Sequence, residues 1–231
     1  MCANLHPFAA VGNRQLARGT LSGVRHLAES WLRTVAAVGA RGDVAGAGAG
    51  LLVRWAEPHR RYHDVAHLDA VLRLVDELSA VAVEVDLVRL GAWFHDAVYD
   101  PTAVDNEPRS ALLAEKVLTE LRVPDARVAR VVDLVALTAT HAPEAGDRDG
   151  AVLCDADLAV LASDDAGYAR YTEAVRGEYA HLDDATFAAG RARILRSLLD
   201  RTTLFGTEHG RTTWESRARA NVRCELESLE N

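Results

Sequence analysis

Val81-Ala82-Val83-Glu84-Val85-Asp86-Leu87-Val88-Arg89-Leu90-Gly91-Ala92-Trp93-Phe94-His95-Asp96, residues 81–96, admits two structures. Val81, Val83, Val85 and Leu87 alternate with the period of a half-buried strand. Taken instead with Asp86 as an N-cap, the segment fits a helix running through Leu90 and Phe94. The choice decides the fold class. No second strand-like run is present to pair with the first, and an isolated strand is not viable. The segment is therefore expected to be helical, and the chain a single all-α bundle.

The surroundings agree with that choice. Upstream, Leu27, Trp31, Val35 and Val38 follow helical spacing and form one apolar stripe. Between them and Pro58 lies Gly39–Gly50, rich in Gly and Ala, which is expected to be a mobile loop. A helix carrying Leu68, Val71, Leu72, Val75 and Leu78 follows Pro58. Beyond Pro101, helices are expected over 106–121, 125–140, 151–161, 164–181, 184–200 and 211–229. Pro124, Pro143 with Gly146, and Gly150 mark joints between them.

The 231 residues are 49% hydrophobic and 26% charged, enough for one domain with a sizeable core. A formal charge of −8 argues against a long nucleic acid as partner but leaves room for a single nucleotide beside a metal ion. Lys116 is the sole lysine; the other basic residues are arginines, so an arginine here is weak evidence of phosphate binding. Cys2, Cys154 and Cys224 are scattered and odd in number, which excludes a disulfide framework and a thiolate zinc site. No secretory signal and no apolar run of ~20 residues is visible. A cytoplasmic protein with no membrane partner is expected; a homo-oligomer is compatible with all of this.

Four polar clusters interrupt the apolar pattern. Arg60-Arg61-Tyr62-His63-Asp64-Val65-Ala66-His67 carries two histidines four apart, which on a helix would share a face. His95-Asp96 follows a strongly apolar helical run, where a carboxylate seldom lies without a partner. Cys154-Asp155-Ala156-Asp157 places two aspartates in an apolar stretch; Asp155 suits an N-cap, and the other needs a different cause. Asp105-Asn106-Glu107-Pro108 has the composition of a first helical turn. Imidazoles and carboxylates on separate helices make a mixed N/O set suited to Mn, Mg, Zn, Fe, Co or Ni, with positions left open for water and substrate.

The order His67 … His95-Asp96 … Asp157 resembles the HD superfamily of metal-dependent phosphohydrolases, which is all-helical. Val175-Arg176-Gly177-Glu178-Tyr179, Gly190-Arg191 and Ala218-Arg219-Ala220-Asn221 extend the resemblance over nearly the whole chain, to a bacterial subfamily of predicted HD phosphohydrolases. The Tyr62-His63-x-x-x-His67 segment is also similar to the cyclic-nucleotide phosphodiesterase pattern of the same superfamily. Asp64 stands where that pattern has asparagine, so a cyclic nucleotide is not carried over as substrate.

The resemblance implies a divalent ion held by His67, His95, Asp96 and Asp157, with Asp155 in reserve and His141 as a further ligand if a second ion binds. It implies His63 as proton donor to the leaving group, and a small phosphate ester as substrate, a nucleotide first of all. Asp96 or Glu107 is expected to orient the attacking water. Arg60 is expected to hold the phosphate, followed by Arg176 and Arg191, and Tyr62 to stack or pack. Two other functions use the same residues: a nucleotide sensor that hydrolyses nothing, and a di-iron oxygenase with His141 as added ligand. A helical interaction protein would leave the polar clusters without a cause.

Overall fold

The computed structural model describes residues 21–230, in ten α-helices with no strand among them. They are α1 (Leu21–Ala37), α2 (Val44–Trp55), α3 (Val65–Glu77), α4 (Val85–Phe94), α5 (Asn106–Glu120), α6 (Asp125–Leu137), α7 (Arg148–Leu158), α8 (Asp165–Glu178), α9 (Asp184–Leu199) and α10 (Glu215–Glu230). A 3-10 turn, Ala159–Ala162, continues α7, and a π-helical turn, Gly210–Trp214, leads into α10. No helix among the described residues is long and apolar enough to cross a membrane.

The ambiguous segment is α4, the centre of the bundle. It packs against α1, α3, α5, α6 and α7. Leu87, Val88, Leu90, Gly91, Ala92, Trp93 and Phe94 are all buried. Only Val85, Asp86 and Arg89 of the helix reach the surface, so its polar face is one short stripe near the N-terminus. The strand-like alternation falls largely before the helix: Val81 and Val83 lie in the turn that precedes it. The helix begins at Val85 after Glu84, so Asp86 lies in the first turn and is not the N-cap. The free amides before it are capped from a distance: Asp149 of α7 accepts from Val83 N–H and Glu84 N–H at 2.7 and 3.1 Å.

The Gly/Ala-rich stretch 39–50 is not a loop as expected. Residues 44–50 are the first two turns of α2, capped by Asp43, whose carboxylate accepts from Gly46 N–H. The small residues serve packing. A methyl group at Gly48 would lie 2.4 Å from the Trp31 ring, and Trp31 Nε1 donates to Val44 O. Gly39 and Gly42, at φ +80° and +97°, make the turn that reverses the chain before α2.

Two apolar clusters result. The larger joins α1 to α7 around Trp31, Trp93 and Phe94. The smaller joins the 3-10 turn, α8, α9 and α10 around Leu161, Leu195, Phe205 and Val222. Trp214 packs against both.

Candidate metal centre

Three helix ends bring the ligand-type side chains together. His67 stands in the first turn of α3, whose N-cap Asp64 accepts from Ala66 N–H and His67 N–H. His63 precedes that cap and is outside the helix, so the two histidines do not share a helical face as expected. The turn nevertheless brings their rings to 5.7 Å. His95 is the C-cap of α4, and the helix stops there, which frees Asp96 to turn back toward its neighbour. Asp157 lies in the last turn of α7.

The atoms converge closely. His67 Nε2 is 3.2 Å from His95 Nε2 and 3.1 Å from Asp157 Oδ1. His95 Nε2 is 3.6 Å from Asp157 Oδ1 and 3.2 Å from Asp96 Oδ2. Asp96 Oδ2 is 3.9 Å from His67 Nε2. Ligands about 2.1 Å from one ion lie about 3.0–3.4 Å apart in octahedral or tetrahedral order. The donors of His67, His95 and Asp157, all within 4.8 Å of one another, match that spacing.

The tautomer fits as well. His95 Nδ1 donates to Ala92 O at 2.9 Å, which leaves the Nε2 lone pair facing the cluster. Two imidazole nitrogens that face each other between two carboxylates favour positive charge, whether a proton or a metal. Without a metal, burial alone would drive the His95 imidazolium pKa down. The Asp96 and Asp157 carboxylates outweigh that and hold it well above its usual value. Burial would raise Asp96 and Asp157, but the His95 charge holds both below the usual carboxylate range.

His63 sits beside this cluster, fixed by Glu178, which is not among the expected site residues. Glu178 of α8 has a fully buried side chain. Its Oε1 accepts from the N–H groups of Arg61, Tyr62 and His63 at 2.8–2.9 Å. Its Oε2 lies 2.7 Å from His63 Nδ1 and accepts from Tyr99 Oη–H at 2.8 Å. Burial opposes charge on His63, yet the hydrogen bond to Glu178 and the nearby Asp96 raise its pKa above 6.5. Burial works against the Glu178 carboxylate too, but its bond to His63 brings its pKa down to about 2. The available signal was spacing: Tyr168, Val175 and Glu178 lie on the buried stripe of α8, where a glutamate is out of place.

The remaining expected site residues fall elsewhere. Arg60 does not face a ligand. Its side chain is fully buried, and its five N–H groups go to Glu57 and to the carbonyls of His63, Asp96 and Ala97. It lies between Trp55 and Tyr99, 5.3 and 5.4 Å from their ring centroids, and ties the α3 entrance to the α4 exit. Arg176 caps the end of α8, donating to Tyr179 O, Leu182 O and Asp184. Arg191 pairs with Glu225 and donates to Tyr171 Oη, which in turn packs on Tyr62 at 4.7 Å. Tyr62 also lies 4.7 Å from the His67 ring and 4.9 Å from that of His63.

Glu107, in the first turn of α5, makes no hydrogen bond or ion pair among the described residues; its charge is felt by Tyr179. Asp155 caps neither its own helix nor the metal group. It accepts from Gly206 N–H, Thr207 N–H and Thr207 Oγ1, and so anchors the segment before α10. His141, at φ +47°, points Nε2 at Asp157 Oδ2, 2.7 Å away, and Arg201 holds its carbonyl.

Fold and cluster together define an all-α protein with a His/Asp group able to hold a metal ion. Comparison of the chain with protein-family models, curated proteins and solved structures gives no match.

Proposed function

We propose that this protein is a metal-dependent phosphohydrolase acting on a small phosphate ester. The observation that carries the reading is the convergence of His67, His95 and Asp157 on one point, with Asp96 at its edge and a buried His63–Glu178 pair beside it. His67, His95, Asp96 and Asp157 would hold the ion. When bound, a divalent ion would supply Lewis-acid chemistry toward a phosphoryl oxygen and would acidify water.

The chain's own residues supply the rest. His63 Nδ1–H donates to Glu178, so Nε2 is the nitrogen that gives a proton to the leaving oxygen. Glu178 favours the protonated form of His63, raising its pKa, and fixes the ring. Tyr99, stacked on His63 with ring centroids 4.4 Å apart, blocks the ring's other orientations. Trp55, 5.4 Å from the His95 ring, shields the cluster from water on its inner side. Arg60 sets the spacing of the two histidine segments through their backbone carbonyls.

Elemental analysis of the purified protein, followed by a panel of phosphate esters with each divalent ion supplied in turn, tests the reading. About one ion per chain and ion-dependent phosphate release are expected. Full metal content in His67→Ala or Asp96→Ala, or no turnover with any ion, overturns it.

One observation favours a second reading. The 2.7 Å contact between His141 Nε2 and Asp157 Oδ2 gives that carboxylate a nitrogen donor on each side. Two irons per chain with oxygen uptake would select the oxygenase.

A further inference from the structure

A cleft of about 660 Å³ runs between α3 and α8, and His67 and Asp157 both border it. Its volume falls within the roughly 300–1,000 Å³ of small-molecule sites. Ala70, Val71 and Leu74 of α3 and Ala174 of α8 make its sides apolar, and Tyr171 and Trp214 add aromatic rings. Arg61, before α3, and Arg170, on α8, line the same cleft from opposite elements.

Those two arginines differ from the three the sequence singled out. Arg60, Arg176 and Arg191 spend their donors on protein oxygens. The guanidinium groups of Arg61 and Arg170 are exposed and make no hydrogen bond or ion pair among the described residues. One exposed arginine would carry nothing. Two on separate elements, lining one cleft that the candidate metal ligands also border, offer a pair of unengaged cationic forks; the carboxylates on that lining are Asp157, one of those ligands, and Asp64. The acidic Asp64 on the same rim is engaged by the N–H groups of Ala66 and His67.

We infer that this cleft binds a nucleoside monophosphate, its flat base against Tyr171 and Trp214 and its phosphate oxygens on Arg61 and Arg170. The inference rests on the phosphohydrolase reading for the fate of the ligand, not for its binding. The arginine fork matches phosphate geometry, and aromatic rings take a base by stacking.

Calorimetric titration of the full-length protein, with and without added Mn²⁺, against the four ribonucleoside monophosphates, their nucleosides, ribose 5-phosphate and inorganic phosphate tests it. At least one monophosphate should bind well below millimolar, and its nucleoside and ribose 5-phosphate each at least tenfold more weakly. Arg61→Ala and Arg170→Ala, both at exposed positions, should each weaken the monophosphate about tenfold and leave the nucleoside unchanged. Equal affinity for nucleoside and monophosphate, unaltered affinity in both variants, or no monophosphate binding below millimolar overturns the inference. Binding that needs both arginines but leads to no hydrolysis would defeat the phosphohydrolase reading and leave the cleft assignment standing. Hydrolysis with KM unchanged in both variants would do the reverse.

Discussion

Replacing Glu178 by glutamine removes one charge and almost no volume, at the residue through which α8 controls the site. Five hydrogen bonds converge on this carboxylate: three backbone N–H groups, His63 Nδ1 and Tyr99 Oη. A carboxyl held from 4.5 down to about 2 contributes on the order of 3 kcal/mol above pH 4.5. That agrees with the about 3–5 kcal/mol lost when one partner of a buried pair is removed. Glutamine keeps one acceptor oxygen for the backbone but presents N–H groups to His63 and Tyr99. We expect Glu178→Gln to lose about 3 kcal/mol, which lowers Tm by about 6–12 °C in a chain of this length.

The charge-assisted bond to His63, worth about 1.5–3 kcal/mol, sets the expected loss in kcat at about 10- to 150-fold. Metal content should stay near wild type. The pH signs differ for the two partners. His63 titrates above 6.5 in the folded protein, so its contribution is complete below 6.5 and fades as pH rises through the raised value. Glu178 is depressed, so its contribution is complete above 4.5 and fades as pH falls toward 2. Wild-type stability should therefore peak between about pH 4.5 and 6.5 as far as this pair is concerned. The variant should show a flatter profile, and its His63, followed by nitrogen-15 NMR, a lower pKa. A Glu178→Gln protein with Tm within about 2 °C of wild type and an unchanged His63 titration would refute the reasoning.

Further expectations follow from the same geometry. His95→Ala should abolish metal binding by elemental analysis, because its Nε2 is aimed by the Ala92 carbonyl; an ion retained at full occupancy would remove His95 from the ligand set. His63→Ala should keep the ion and lose about 10²–10⁴-fold in turnover of a phosphate ester, and metal loss instead would make it a ligand. Arg60→Ala, through its five buried donors, should destabilise by about 3–5 kcal/mol in urea unfolding, where a purely ligand-facing arginine would leave stability unchanged. Gly48→Ala should cost about 1–3 kcal/mol because the methyl group meets the Trp31 ring, and a neutral result would mean that α2 can move away from α1.

Most of the helices were legible because their signals are local. Apolar spacing within one turn and polar breaks between turns place α5–α10 to within a few residues and pick out the apolar stripes of α1 and α3. Two segments resisted, for different reasons. In α4 the polar face is reduced to Asp86 and Arg89, and Val81 and Val83 in the turn before it imitate the period of a strand. In α2, within a run of glycines and alanines that usually marks a loop, Gly48 lets the helix approach Trp31, a fact that depends on a neighbour 17 residues away.

The chain by itself determined that the protein is helical and which histidines and aspartates are available for a cation, because both follow from residue type and near-neighbour spacing. Only the tertiary structure decided what each does. It turned Asp155 to the segment before α10, spent Arg60 on backbone carbonyls, and set Glu178 of α8 against His63, 115 positions earlier. Such assignments depend on where a helix ends and on which distant helix packs across it, and local periodicity holds no record of either.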